Sequence, residues 1–301
     1  MTTSFSFVGW RKVWFATSAV LIGLSIAALA LFGLRFGVDF TGGSLMELEF
    51  PQGAPSTQEV QNVVGSLGSL SVQSADNNLK LIIRSETQDE ATHQETIASL
   101  KEAFGDFTEL RFDSIGPTVG SELRRSSLIG VVVTLVLIGL YISWAFRKVS
   151  EPIASWKYGL ITVLCAAHDV IIPLGVFALL GFFYHWEIGS GFVAAVLTIL
   201  GYSISDTVVV FDRTRENLLH HRGEAFPDVV EKSVRQTFVR SLNTSLTTLL
   251  ALSAVFLFGG ESTRPFALAL MIGIAVGTYS SIFFASPLLV SWELFRNKST
   301  S

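Results

Sequence analysis

Residues 188–211 read IGSGFVAAVLTILGYSISDTVVVF, a segment apolar enough for a membrane that nevertheless contains a carboxylate, Asp206. Its length exceeds the roughly 20 residues that a helix needs to cross about 30 Å of hydrocarbon. Lipid offers backbone amides no partner outside a helix or a closed barrel, so such a segment crosses as a helix. At a rise of 1.5 Å per residue, Asp206 then sits roughly 8 Å inside the end marked by Phe211. An ionised, unpaired carboxylate at that depth costs on the order of 2–3 kcal/mol, so it must face protein or water. Ser203, Asp206, Thr207 and Val210 share one side of this helix, while Ile204, Val208 and Phe211 serve lipid or packing.

Five other segments have the same character: 13–34, 126–146, 158–184, 241–260 and 265–292. Composition agrees, with 50% hydrophobic and 15% charged residues among 301, a mean hydropathy of +0.51, and far less charge than the quarter usual in soluble domains. A cleaved signal peptide is the rival reading of the first segment. Its apolar run, reaching Leu34, is longer than a signal core. The single cysteine, Cys165, excludes an internal disulfide framework and a CxxC motif.

Lysine and arginine in the short connections set the orientation. Arg11, Lys12, Arg147, Lys148, Lys157, Arg213, Arg215, Arg222, Lys232, Arg235, Arg240, Arg296 and Lys298 fall at one set of ends, against Arg264 at the other. The expectation is a cytosolic N-terminus (1–12), a cytosolic loop (212–240), a cytosolic C-terminus (293–301) and a translocated segment at 35–125. That segment holds 14 of the 25 acidic residues.

The translocated segment reads as β-α-β-β-α-β, the order of a ferredoxin-like domain. SLMELEF (44–50) alternates as a half-buried strand, Ser56 or Thr57 caps QEVQNVVGSL, and LSVQSA and NLKLIIRS flank a turn at Asp76-Asn77-Asn78. DEATHQETIASLKEAF is an amphipathic helix with Ile97, Leu100, Ala103 and Phe104 on its apolar side, and FTELRFDSI is the last strand. His93, on the polar side, reads as a solvated surface histidine. Ahead of the domain, Gly42-Gly43 lacks the surroundings of a phosphate loop. The pair permits a sharp turn or a close backbone approach, with Asp39 as a cap or acceptor, and is read as a structural hinge.

The spans contain further polar groups. Asp169 lies mid-span in 158–184, four residues before Pro173, which frees a backbone carbonyl. His168 beside it points about 100° away, so the two are not expected to share a face. Arg240 stands at the start of 241–260, level with Asp206. It is followed by Asn243, Thr244, Thr247 and Thr248 at helical spacing, read as a polar stripe toward the bundle interior. Asp206 and Arg240 are a candidate pair. A structural aspartate and a snorkelling arginine are the alternatives. No nucleophile–base pair, metal-ligand set or phosphate loop marks an enzyme, and no cofactor is expected.

VDFTGG (38–43), HDV (168–170) and GYSISDTVVVFDRTREN (201–217), in that order across six spans, resemble the SecF family. These are the smaller membrane subunits of the bacterial SecD–SecF export complex, within the resistance–nodulation–division (RND) superfamily. Ser205 departs from the asparagine common in that motif and is likewise small and polar. The resemblance implies an α-helical membrane protein of six transmembrane helices, half of an RND-type transporter, with a ferredoxin-like periplasmic domain between helices 1 and 2. It implies the bacterial cytoplasmic membrane, with SecD as obligate second half. The SecYEG channel, exported unfolded polypeptide, protons and lipids would be partners, with no nucleic acid. It also implies Asp206, Arg240 (within VRSLNTS) and Asp169 as proton-coupling residues, driving late steps of polypeptide export. Half of a proton-coupled small-molecule or lipid exporter is the alternative, and a passive membrane scaffold a third reading.

Overall fold

A computed structural model of the chain describes residues 5–65, 71–75, 78–147, 153–220, 223–260 and 263–299. The chain divides into two compact units, Phe36–Leu128, and Met1–Arg35 with Ile129–Ser301.

Among the described residues of the larger unit and its junctions, six helices are long and apolar enough to cross a membrane. They are α1 (Arg11–Phe32), α5 (Pro117–Ala145), α6 (Ser155–Tyr184), α7 (Ser190–His220), α8 (Phe226–Phe258) and a composite last helix. The last consists of α9 (Arg264–Tyr279), a π-helical turn (Ser280–Ala285) and α10 (Ser286–Ser299). The apolar stretches of α6 and of the last helix are the most enclosed, while those of α5 and α8 are largely exposed. The chain thus has central and peripheral helices.

The segment expected as a loop at 212–240 is largely helical, because α7 runs on to His220 and α8 begins at Phe226. Its charges are compatible with a helix surface: Arg213 pairs with Glu216 at 2.5 Å and Arg215 with Asp212 at 2.8 Å, both at (i, i+3) spacing. The inner faces join through Asn217, whose Nδ2 donates to Ser233 Oγ at 2.8 Å and Gln236 Oε1 at 2.9 Å. The basic residues Lys148 and Arg222 lie outside the described residues, as do the side chains of Arg296 and Lys298.

The N-terminal segment folds beneath this end of the bundle. Phe7 and Val8 are buried with Val210, Val230, Val234, Ile282 and Val290. Glu231 Oε2 accepts from Ser6 Oγ at 3.2 Å and Val8 N–H at 2.9 Å, and Arg235 donates to the Phe5 carbonyl.

The smaller unit carries α2 (Val38–Thr41), β1 (Gly43–Glu49), α3 (Thr57–Val64), β2 (Ser71–Ala75), β3 (Lys80–Ser85), α4 (Glu90–Phe104) and β4 (Thr108–Ile115). The sheet order is β2-β3-β1-β4, and each pairing is antiparallel. This is the ferredoxin-like arrangement. Met46, Leu48, Phe50, Leu81 and Ile83 face Val60, Val64 and Leu100 from the helices. Ile97 and Phe104 pack against that core, whereas Ala103 is exposed. Of the expected turn, Asp76 and Asn77 lie outside the described residues, and Asn78 adopts φ 68°.

His93 is buried rather than solvated, with 5% exposure. Its ring stacks on Phe112 of β4 at 3.7 Å, and Nε2 lies 2.8 Å from Glu109 Oε1. The sheet reaches past the apolar stripe of α4, so a flat polar ring covers the aromatic beneath it.

Both helices of this unit are capped by side chains. Ser56 and Glu59 form a reciprocal capping box, and Asp89 accepts from the Thr92 N–H at 2.9 Å. The side-chain hydrogen bond from Ser56 holds Glu59 below the ordinary carboxylate range, and the backbone N–H of Thr92 does the same for Asp89. A depressed folded-state pKa gives stability that is present above the unfolded value and lost as pH falls through the folded one. Amide exchange at Glu59 and Thr92 should therefore accelerate relative to the domain core as pH is lowered below the ordinary carboxylate range. An unchanged ratio would show that the caps carry no linked stability.

Candidate functional site

The enclosed helices bring two carboxylates into one hydroxyl-rich interior. Asp169, from the middle of α6, is fully buried. Its Oδ1 lies 2.8 Å from His168 Nδ1, and its Oδ2 accepts from Ser280 Oγ at 2.7 Å and from Ser203 Oγ. Pro173 lies within α6 four residues on and has no N–H for the Asp169 carbonyl, which weakens the helix ladder beside this carboxylate.

His168 thus meets Asp169 despite the 100° between adjacent helical positions. Its Nδ1 is near enough to the backbone to reach back to the neighbouring carboxylate, while the ring stacks beside Phe284 at 5.3 Å. Its Nε2 is buried without a hydrogen-bond partner among the described residues.

Asp206 is half-buried on α7. Its Oδ1 accepts from Ser241 Oγ of α8 and its Oδ2 from Ser281 Oγ of the π turn. Ser203, Thr207 and Val210 are buried with it, as the helical spacing predicts. A Cβ on Gly277 of α9 would come within 2.9 Å of Ser203 Cβ. Glycine there lets α9 approach α7 closely, just ahead of the π turn whose Ser281 reaches Asp206. A further hydroxyl chain runs from Tyr202 to Ser245 at 3.2 Å and on to Thr278 at 2.5 Å.

Arg240 is placed differently from the expectation. It lies on the exposed side of α8, and among the described residues it forms no ion pair with Asp206. Ser241, one residue on, takes the carboxylate instead. The polar stripe also turns outward: Asn243, Thr244 and Thr247 are exposed and Thr248 is half-buried. The inward face of α8 is set by the small, buried Ser241 and Ser245, a rotation of about 100° per residue from the predicted one.

Gly42 and Gly43 sit in the smaller unit at φ +77° and +116°. A Cβ on Gly42 would lie 2.6 Å from Pro117 Cα, and one on Gly43 2.8 Å from the Ser85 carbonyl oxygen. At both positions a positive φ coincides with a close backbone neighbour, which glycine accommodates. Asp39 occupies the first turn of α2.

Ser280, Ser281 and Ser241 escaped the sequence reading, which looked for charges. The signal was available in Thr278-Tyr279-Ser280-Ser281, four consecutive hydroxyl residues within an otherwise apolar span. Among the described residues no group of three or more His, Cys, Asp or Glu side chains converges as a metal site. What the arrangement offers is two carboxylates, each accepting hydrogen bonds from hydroxyls on neighbouring helices.

Comparison with known proteins matches residues 95–294 to the family described as protein export membrane protein SecD/SecF, C-terminal, and residues 27–53 to the SecD/SecF GG motif. The protein translocase subunit SecF of Thermobaculum terrenum is 41% identical, over 95% of this chain and 93% of that one. The SecDF subunit of Brucella abortus is 36% identical, over 91% of this chain and 36% of its own length. The crystal structure of SecDF from Thermus thermophilus, a translocon-associated membrane protein, aligns with a TM-score of 0.80 and 34% identity. It covers 97% of this chain and 39% of that one. The chain thus spans about two fifths of that SecDF structure.

Proposed function

We propose, because the chain belongs to the SecD/SecF family of protein-export membrane proteins, that it couples proton movement to late steps of polypeptide export as one half of a two-part assembly. Its accessory role in the Sec translocase and its multi-pass membrane character follow from the family and the six apolar helices. In the proposed assembly Asp206 and Asp169 take up and release protons, and SecD supplies the second half. The bacterial cytoplasmic membrane holds the complex, with both termini and the extended ends of α7 and α8 in the cytosol. SecYEG and the unfolded exported chain are the clients.

The observation that carries the reading is the pair of carboxylates within the helix bundle, each held by hydroxyls from separate helices. A carboxylate bonded in this way exchanges a proton without any covalent chemistry, and its hydrogen bonds to neighbouring helices change when it does. The exposed Arg240, Asn243, Thr244 and Thr247 favour a second protein over lipid against α8, because lipid is a poor solvent for such groups. SecDF relatives carry both names in one longer chain. Each proton crossing the membrane potential releases about 2.3 kcal/mol per 100 mV, enough to bias a modest conformational equilibrium.

Asp206→Asn should leave the chain inserted and bound to SecD while abolishing the acceleration of export by a proton gradient. The measurement is export into membrane vesicles with and without an imposed gradient. Undiminished gradient dependence in this variant overturns the reading.

A further inference from the structure

We propose that Ser280 and Ser281 are positioning residues through which Asp169 and Asp206 sense each other's protonation. The inference rests on the reading of the two aspartates as proton carriers and adds how they communicate.

The two serines are consecutive, fully buried, and open the π-helical turn. Ser280 donates to Asp169 Oδ2 on α6, and Ser281 to Asp206 Oδ2 on α7. One peptide unit therefore joins the hydrogen-bond partners of both carboxylates. A serine hydroxyl has a single proton. Each of these has a second acceptor in reach: the Gly277 carbonyl lies 3.1 Å from Ser280 Oγ, and the Thr278 carbonyl 3.1 Å from Ser281 Oγ.

While a carboxylate is ionised, the charge-assisted bond to it is the stronger one and holds the hydroxyl proton. Once the carboxylate is protonated, its own O–H donates to the serine oxygen. The serine proton then turns to the backbone carbonyl three residues back. Those carbonyls belong to the last turn of α9. There the Ser280 N–H is already shared between the Gly277 and Val276 carbonyls. Downstream, Ser286 Oγ, 3.3 Å from the Ser281 carbonyl, donates to it across five residues. The junction thus has competing acceptors and a side-chain donor, which lets its backbone bonds rearrange at small cost. A change at either serine alters the junction that carries the other.

The titratable neighbours are few. Asp169 faces His168 on its own helix, with Cys165 one turn away and Tyr279 beside the His168 ring. Among the described residues, α7 and the π turn present hydroxyls to it, those of Ser203 and Ser280. Asp206 receives Ser241 from α8 and Ser281 from the π turn, with Arg240 adjacent in sequence but unpaired to it among the described residues. Direct electrostatic repulsion between the aspartates is the competing route, and it does not require the serines.

The test is infrared titration of protonated carboxyl bands in the full chain reconstituted with its SecD-type partner, each band assigned by Asp→Asn substitution. In the otherwise unaltered protein, Asp206→Asn should move the Asp169 midpoint by about one pH unit, tenfold in proton affinity. Ser281→Ala or Ser280→Ala should remove most of that shift, and Ser281→Thr, which keeps the hydroxyl, should restore it. Should an alanine variant fail to fold, Ser281→Cys retains the size with a weaker donor and should reduce the shift. A shift that persists in the serine variants, or one that is absent from the start, overturns the proposal. Export is not read in this experiment. A chain with coupled titrations but gradient-independent export would refute the proposed function and leave this inference standing.

Discussion

Replacing Gly42 by valine is expected to unfold the Phe36–Leu128 unit while leaving the apolar helices inserted. Gly42 combines φ +77° with ψ 169°, a region essentially reserved for glycine, and a side chain there costs on the order of 1–3 kcal/mol in backbone strain. The new Cβ would also lie 2.6 Å from Pro117 Cα and 2.9 Å from Pro117 N. These are backbone atoms that cannot rotate aside, which adds about 1–3 kcal/mol of overpacking. Gly53 is the internal control: its φ is +102°, but a Cβ there would meet nothing within 4 Å. Gly53→Ala should therefore show the strain without the collision. Limited proteolysis and thermal melting of the full chain would separate the two. Equal stability of the Gly42→Val and Gly53→Ala variants would refute the backbone-contact account.

The second large effect is expected at Asp169. Asp169→Ala removes the acceptor shared by His168, Ser203 and Ser280, in a site with no exposure to solvent. The Ser280 hydroxyl can turn to the Gly277 carbonyl at 3.1 Å. The donors of His168 and Ser203, however, lose the acceptor at about 1–3 kcal/mol each, so the loss should reach several kcal/mol and appear as a much lower melting temperature in detergent. Asp169→Asn keeps the shape and one acceptor oxygen. It should cost only about 1–2 kcal/mol while still abolishing proton exchange at that position. Equal destabilisation by alanine and asparagine would mean that side-chain volume, not the hydrogen-bond set, holds the site.

The architecture was open to reading because its causes are local. Apolar length marked the spans, and alternation with turn residues marked the strands of the smaller unit. The interior contacts depend instead on which face of a helix turns inward. Arg240 and Ser241 are neighbours, yet about 100° of rotation separates a charge on the surface from a hydroxyl on Asp206. That rotation follows from where small residues let helices approach, as Gly277 does against Ser203, and a hydrophobicity pattern does not report it. His93 was misjudged for a related reason: helical periodicity describes one element, and Phe112 arrives from a strand distant in sequence. The π turn has no periodic signature, so the shared role of Ser280 and Ser281 emerged only with their partners in place.

The seating of Phe7 and Val8 beneath α8 imposes an order on biogenesis. Ser6 and the Glu231 carboxylate that receives it are 225 residues apart. At about 5–20 residues per second of synthesis, the N-terminal segment waits roughly 10–45 s for its dock to be made. Throughout that interval Phe7 and Val8, the residues this dock buries, need shelter from a chaperone or the lipid surface. A ribosome stalled before Glu231 would leave this segment on display, a ready flag for quality-control proteases.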